Sequence, residues 1–123
     1  MYTLDTNAII YFIKGDEKTS RFFTKVFSQF SPVYVSTITE IELFGFDGLT
    51  HHESEQIERF LDTLTIVSLD SRIARVAGSL RRDYRLKTLD AAIAATALVT
   101  GTSLATRNIR DFKKIPNLSL QSI

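Results

Sequence analysis

The chain has 123 residues, 44% hydrophobic and 24% charged, with a formal net charge of +1 at pH 7, which predicts one soluble domain over residues 1–123. It contains no cysteine, and this excludes disulfides and thiolate metal sites. It shows no signal peptide and no apolar run near the roughly 20 residues of a membrane span, so we expect a cytoplasmic protein without membrane contact.

Short strand-like runs alternate with longer helical patterns along the chain. The strands are predicted at Tyr2–Asp5, Val33–Ser36, Thr65–Ser68, Ser103–Ala105 and Leu118–Leu120. The helices are predicted at Asn7–Ile13, Lys18–Phe30, Ile38–Phe46, Glu53–Thr63, Ser71–Arg82 and Leu89–Val99, with Thr88 suited to an N-cap. This alternation predicts an α/β fold of three layers, in which helices flank a mainly parallel central sheet of about five strands.

The first strand ends in a carboxylate that lies between two apolar segments, in MYTLDTNAII. A charge at Asp5 is costly there unless a cation or hydrogen-bond donors compensate it. Asp5 either caps the following helix or forms one wall of a metal site, and this single residue does not decide between the two.

Two further acids follow the second strand, in TITEIELFG. Thr37 and Glu40 have the spacing of a capping box, which gives Glu40 a structural role. Thr39 and Glu42 have the same spacing, but a helix that starts directly after the strand places Glu42 in its second turn, among apolar side chains. That position favours Glu42 as a ligand of a cation.

The remaining candidates lie near the end of the chain. Asp90 lies at the start of an otherwise small and apolar helix, where it is either a favourable charge at the helix N-terminus or a side chain facing a cleft. Thr106, Asn108 and Asp111 follow the fourth strand, and each taken singly suits a helix cap.

These acids share a position at strand ends or adjoining helix starts, and in a parallel sheet such positions meet at one edge. Carboxylates that converge without a cation repel one another and take up protons. Oxygen ligands are what Mg²⁺ or Mn²⁺ prefers, so the combination predicts a divalent metal site.

Four segments in order resemble the PIN-domain family, specifically the VapC-like toxin ribonucleases of type II toxin–antitoxin pairs. They are LDTNAII at 4–10, EIELFG at 40–45, LDAAIAATAL at 89–98 and ATRNIRDF at 105–112. The resemblance covers essentially the whole chain and implies a single PIN-like domain over residues 1–123 with the three-layer fold.

The resemblance also implies a set of site residues. Asp5, Glu42 and Asp90 become the three main acidic residues that bind metal and carry catalysis, and Asn108 or Asp111 fills a fourth position. Asp111 is the catalytic candidate of that pair, while Asn108 supplies an oxygen without a charge where relatives often carry an acid. Thr6 and Thr106 become hydroxyls that orient Asp5 and the loop ligand.

The function implied by the resemblance is that of a Mg²⁺- or Mn²⁺-dependent endoribonuclease toxin, which hydrolyses RNA phosphodiester bonds with a metal-activated water. Its expected partners are RNA, a cognate antitoxin protein and a second copy of the chain in a homodimer. An inactive PIN scaffold that binds RNA or protein is the alternative, because Asn108 is neutral. A haloacid-dehalogenase-like phosphatase ranks below both, because that family wants an aspartate where this chain has Asn7.

Charge is distributed unevenly along the chain. Residues 1–62 hold ten acidic and five basic residues, and residues 63–123 hold four acidic and ten basic residues. Either these are solvated helix faces or the basic half attracts a polyanion. The candidate RNA contacts are Arg107, Arg110, Lys113 and Lys114 beside the predicted site, and Arg82 and Arg85 before the last long helix.

Overall fold

The structure is a computed structural model that describes all residues, 1–123. Its strands are β1 (Tyr2–Leu4), β2 (Val33–Ser36), β3 (Thr65–Val67), β4 (Ser103–Thr106) and β5 (Leu120–Ser122). Its helices are α1 (Thr6–Ile13), α2 (Glu17–Ser28), α3 (Thr37–Phe44), α4 (His51–Leu61), α5 (Ser71–Tyr84), α6 (Thr88–Thr100) and α7 (Ile109–Phe112).

All strands join one five-stranded sheet in the order β3-β2-β1-β4-β5, and every neighbouring pair is parallel. The chain winds outward from β1 through β2 to β3, then returns to the other side of β1 for β4 and β5. The strand order therefore reverses between β1 and β4, and open parallel sheets form their crevice at such a point, outside the carboxyl ends of the strands.

The sheet is buried on both faces, which confirms the predicted three layers. One apolar core joins β1 and β2 to α1, α2 and α4, with Leu4, Val35 and Phe23 almost wholly buried. The other core joins β4 to α5, α6 and α7, with Leu104 and Phe112 at 0% exposure.

The helix α6 forms the centre of the second core. All seven residues from 91 to 97 are buried, and five of them are alanine. A helix that is apolar on all sides is a core helix. Its small side chains allow the backbone to lie close to the sheet, which brings the first turn of α6 near the ends of the strands.

The phenylalanines of α2 pack in the first core, whereas Phe30, beyond the end of the helix, does not. Phe23 is 1% exposed, and its ring centroid lies 4.9 Å from that of Phe12 and 5.2 Å from that of Phe60. Phe30 is 94% exposed, because α2 ends at Ser28 and the chain then turns with φ of 55° at Phe30. The prediction that α2 continues to Phe30 is wrong.

Other differences from the sequence-based prediction concern helix and strand ends. Lys87 occupies the N-cap position of α6, so Thr88 is the first helical residue and not the cap. The last strand lies two residues later than predicted, and the short helix α7 is not among the predicted helices. No helix has the length and hydrophobicity needed to cross a bilayer.

Candidate active site

Four carboxylates lie at the carboxyl edge of the sheet: Asp5, Glu42, Asp90 and Asp111, here called the acidic edge. Asp5 follows β1 directly, Glu42 lies in α3 after β2, and Asp111 lies in α7 after β4. Asp90 lies in a helix that precedes its strand. Because α6 packs on the sheet and its last turn leads into the amino end of β4, its first turn lies at the carboxyl edge. The fold therefore brings residues more than 100 positions apart in the chain to one edge.

Asp5 holds the N-cap position of α1, but its side chain does not cap the helix. Its Oδ2 instead accepts a hydrogen bond of 2.8 Å from the hydroxyl of Thr106, at the end of the neighbouring strand β4. Only 6% of Asp5 is exposed. Burial raises the pKa of Asp5, and the charges of Asp90 and Glu42 raise it further against hydrogen bonds from Thr106 and Thr6.

Glu42 is oriented by a second threonine. The hydroxyl of Thr6 donates to its Oε1 at 2.5 Å, and the same hydroxyl oxygen lies 3.1 Å from the Oγ1 of Thr39. Thr6 therefore binds Glu42 with its side chain, and its backbone amide lowers the pKa of Asp5, so one residue acts on two members of the acidic edge.

Neither of the two possible capping boxes forms in α3. Ser36 is the N-cap, and its hydroxyl accepts from the Ile38 amide at 3.1 Å. The Thr37 hydroxyl accepts from the Leu69 amide instead, so the capping role predicted for Glu40 is wrong. The helix does start directly after the strand, which places Glu42 in the second turn as expected.

Asp90 is half-buried in the first turn of α6. Burial raises its pKa, and the charge of Asp111 raises it further, while Lys87 and Lys114 act in the opposite direction. Together with the effect of Asp90 on Asp5, this links Glu42, Asp5, Asp90 and Asp111 into one group of mutually repelling carboxylates.

The fourth position contains a hydrogen-bonded pair. The Asn108 side-chain amide donates to Asp111 Oδ2 at 2.9 Å, and the Asn108 backbone amide donates to the Thr106 hydroxyl at 2.9 Å. Asp111 is exposed and Asn108 is half-buried. Asn108 and Asp111 thus lie together in the segment that continues from Thr106.

The donor chemistry of the acidic edge fits a hard divalent cation. Its potential ligands are oxygens, none of its carboxylates forms a salt bridge, and two of them have raised pKa values. No three His, Cys, Asp or Glu side chains already lie close enough together to hold an ion. The fit therefore rests on uncompensated charge and donor type.

The predicted RNA contacts divide into two groups. Arg110, Lys113, Lys114 and Arg85 are exposed and form no salt bridge, and Arg82 pairs only with exposed Asp83. Arg107 differs, because its guanidinium contacts other parts of the chain: the Asp16 carboxylate, the Thr19 hydroxyl and the Ile123 backbone oxygen. Its assignment as an RNA contact stays a prediction with a competing structural role.

Two residues near the acidic edge contact or influence it in ways that the sequence does not predict. Lys87 lowers the pKa of Asp90, and its signal was its place three residues before that acid. Thr39 lies beside Thr6, and its spacing to Glu42, which matches a capping box, gives no sign of this contact. The histidines lie at an exposed helix start and not at the acidic edge: Thr50 and Glu53 form a capping box there, and His51 pairs with Glu55 at 3.0 Å.

Comparison with known proteins gives a consistent result. The PIN domain family model matches residues 2–118. Ribonuclease VapC2 of Rickettsia felis is 29% identical, over 99% of this chain and 97% of its own length.

Solved structures agree with this match. A Rickettsia felis VapBC2 complex bound to a promoter DNA fragment has a TM-score of 0.86 at 26% identity, covering 99% of this chain and 98% of the matched chain. A toxin–antitoxin complex from Klebsiella pneumoniae has a TM-score of 0.79 at 30% identity, covering 96% and 95%.

Proposed function

The chain belongs to the PIN-domain family, and from this premise we propose that it is the endoribonuclease toxin of a toxin–antitoxin pair, acting on RNA in the cytoplasm with Mg²⁺ or Mn²⁺. The observation that carries the proposal is the acidic edge, where four carboxylates without salt bridges surround the point at which the strand order reverses. Relatives named as ribonucleases support the reaction class.

The metal is proposed to bind to Asp5, Glu42 and Asp90, with Asp111 or Asn108 in the fourth position. A bound divalent ion would make water a better nucleophile at neutral pH and stabilise negative charge on the phosphoryl oxygens. It would also offset the mutual repulsion that raises the pKa values of Asp5 and Asp90.

The chain's own residues hold this arrangement in place. Thr106 holds Asp5 through its 2.8 Å hydrogen bond, and Thr6 holds Glu42 through its 2.5 Å hydrogen bond. Hydroxyls that bind one carboxylate oxygen leave the other oxygen free and fix its direction. Lys87 and Lys114 place positive charge beside Asp90, where a phosphodiester would approach.

The proposed protein partners are a cognate antitoxin and a second copy of the chain. The similar solved structures are toxin–antitoxin complexes, which supports the first partner. A shallow apolar groove between α1, α3 and α4, lined by Ile10, Ile13, Leu43 and Phe46, suits apolar side chains of a partner. Ile41 is 66% exposed on α3, and the homodimer stays a prediction that such a surface supports.

The proposal predicts metal-dependent cleavage of RNA by the purified chain. Mg²⁺ or Mn²⁺ should support cleavage and EDTA should stop it. Asp5→Asn, Glu42→Gln and Asp90→Asn should each lower kcat by more than about 100-fold, since each removes a charged ligand without changing side-chain size. Cleavage of a fluorescent RNA, together with circular dichroism of each variant, measures both activity and fold.

A matched control is available on the same helix, because Glu40→Gln makes the identical chemical change two residues before Glu42 and should leave cleavage unchanged. Full activity of the Asp5 or Asp90 variant would remove those residues from the site. RNA binding without any cleavage, under all metal conditions, would instead favour the inactive scaffold.

A further inference from the structure

Arg107 lies directly after Thr106, and its side chain is held in a socket formed by three other parts of the chain. Its Nη2 donates to the carboxylate of Asp16 and to the Thr19 hydroxyl at 3.2 Å. Its Nε donates to the backbone oxygen of Ile123 at 3.1 Å. Its guanidinium carbon lies 4.2 Å from the ring centroid of Tyr11, in cation–π contact.

The socket uses features that are special to arginine. A guanidinium is planar and directs several donors along fixed lines, so it can bind a carboxylate, a hydroxyl and a carbonyl while it stacks on a ring. A lysine carries the same charge but has one ammonium group and cannot reproduce this geometry. The Arg107 and Asp16 side chains are only 32% and 29% exposed, which reduces screening of the pair by water.

These contacts join the segment after β4 to the elements around Asp5. Tyr11 belongs to α1, the helix that begins after Asp5, and Asp16 is the N-cap of α2. The Thr106 hydroxyl donates a hydrogen bond to Asp5. The next residue, Arg107, donates to Asp16 in the turn between α1 and α2.

The same segment carries the fourth position of the acidic edge. The Asn108 backbone amide donates to the Thr106 hydroxyl, the group that also binds Asp5. Because Thr106, Arg107 and Asn108 are consecutive, loss of the Arg107 contacts would loosen the end of β4 and the segment that carries Asn108 and Asp111.

We propose that Arg107 is a positioning residue for the acidic edge, which acts through Asp16, Thr19 and Ile123, and that it is not a contact to RNA. This inference rests on the proposed nuclease function. Its consequence is that a change at Asp16, on the far side of the socket, lowers the rate of cleavage in the same way as a change at Arg107.

The chain allows the ion pair to be removed without loss of the helix cap. Asp16 accepts from the Thr19 amide at 2.9 Å as the N-cap of α2, and asparagine caps helices about as well as aspartate. Asp16→Asn therefore keeps the cap and removes the charge that faces Arg107. Arg107→Lys keeps the positive charge and removes the planar guanidinium with its several donors in fixed directions.

The steady-state kinetics of the two variants separate positioning from RNA binding. Positioning predicts that Asp16→Asn and Arg107→Lys each lower kcat about 10- to 100-fold with little change in KM, and that the double variant is no slower than the worse single variant. An RNA contact predicts the reverse: Arg107→Lys stays near the wild type, and Asp16→Asn leaves kcat unchanged or lowers KM. That second result overturns the proposal.

Hydrogen exchange of the Asn108 backbone amide, measured by NMR, tests whether the Arg107 contacts hold this segment in place, and the measurement needs no RNA. Exchange should become about tenfold faster in both variants, since the bond to Thr106 is then less well held. If the wild type cleaves no RNA, the nuclease proposal fails. Unchanged exchange in the variants would show, independently of activity, that the Arg107 contacts do not position this segment. Arg21→Gln, an exposed arginine of α2, is the control and should alter neither kinetics nor exchange.

Discussion

Asp5 keeps a carboxylate almost out of contact with water, and no basic side chain forms a salt bridge with it. Its hydrogen bond from Thr106 and the amide of Thr6 stabilise the charge, but burial and two neighbouring acids outweigh them, so its pKa is raised. An arrangement that costs stability without a ligand is typical of a functional site. Asp5 therefore has a physical reason to bind a cation.

The fourth position gives a prediction at the scale of single residues. Asp111→Asn should weaken Mg²⁺-dependent cleavage more than Asn108→Ala, because only the first change removes a negative charge near Asp90. Asn108→Asp should tighten Mn²⁺ binding, measured by calorimetry, since it adds a carboxylate in the segment held by Thr106.

The opposite outcome would leave the site without a fourth ligand. Normal cleavage by the Asp111 variant, with unchanged metal affinity in Asn108→Asp, would leave a site of Asp5, Glu42 and Asp90 alone. Asp47→Asn, in the exposed turn after α3, is the matched control for loss of one aspartate charge.

At the scale of elements, the sequence predicts the order and type of the strands and long helices because hydrophobic periodicity depends on burial. Residues 91–97 read as a buried helix and are buried. Helix ends are less predictable, because several neighbouring residues can cap. Ser36, and not Thr37, caps α3, since the Thr37 hydroxyl oxygen accepts from a long-range partner, the Leu69 amide, that local spacing cannot reveal.

The candidate site also has one part that the sequence predicts and one part that depends on long-range contacts. Strand ends and parallel pairing place Asp5 and the segment after β4 at one edge, so their convergence could be predicted. The socket of Arg107 could not, because it depends on contacts 88 and 91 residues away in the chain. Local sequence offered only a basic residue beside a predicted metal site.

The helix α5 gives a prediction at this scale. Arg82 lies in its last turn, and Arg85 is its C-cap and the first residue of the three-residue connection that leads to α6 and Asp90. Replacement of both by glutamine should raise KM for RNA several-fold without lowering kcat, and should reduce the salt dependence of binding by about 0.7 in log–log slope for each lost phosphate contact. Fluorescence anisotropy at several salt concentrations measures this slope.

Arg59→Gln on α4 is the control for that experiment, because Arg59 pairs with Glu55 on the opposite face of the sheet from α5. An unchanged salt slope in the double variant would show that the end of α5 is a solvated surface with no role in RNA binding.

At the scale of the whole molecule, the acidic half and the basic half of the chain meet at the acidic edge. Asp5 and Glu42 come from the first half, and Asp90, Asp111, Lys87 and Lys114 come from the second. Folding therefore brings together charges that lie apart in the unfolded chain. The free energy of unfolding should for this reason depend on pH and on metal binding.

The sign of that linkage follows from the direction of each pKa shift. Asp5 and Asp90 have pKa values raised above the ordinary 3.8, so the folded protein binds their protons more tightly than the unfolded chain does. Without metal, the free energy of unfolding should fall as pH rises from about 4 through the raised pKa values. Asp16 has a lowered pKa, so its stabilising effect is lost only as pH falls below the ordinary value.

Asp90→Asn should therefore stabilise the metal-free protein at pH 7 and flatten the fall in its free energy of unfolding as pH rises above about 4. The expected rise in melting temperature is roughly 2–5 °C, the shift that about 1 kcal/mol produces in a domain of this size. Addition of Mg²⁺ should raise the melting temperature of the wild type by more than that of the variant, because stabilisation by a ligand depends on its affinity for the folded state. Thermal melts by circular dichroism at several pH values, with Mg²⁺ or with EDTA, measure all three effects. If Asp90→Asn keeps the full Mg²⁺ response, Asp90 is only a favourable charge at the start of α6, and the acidic edge binds its cation without it.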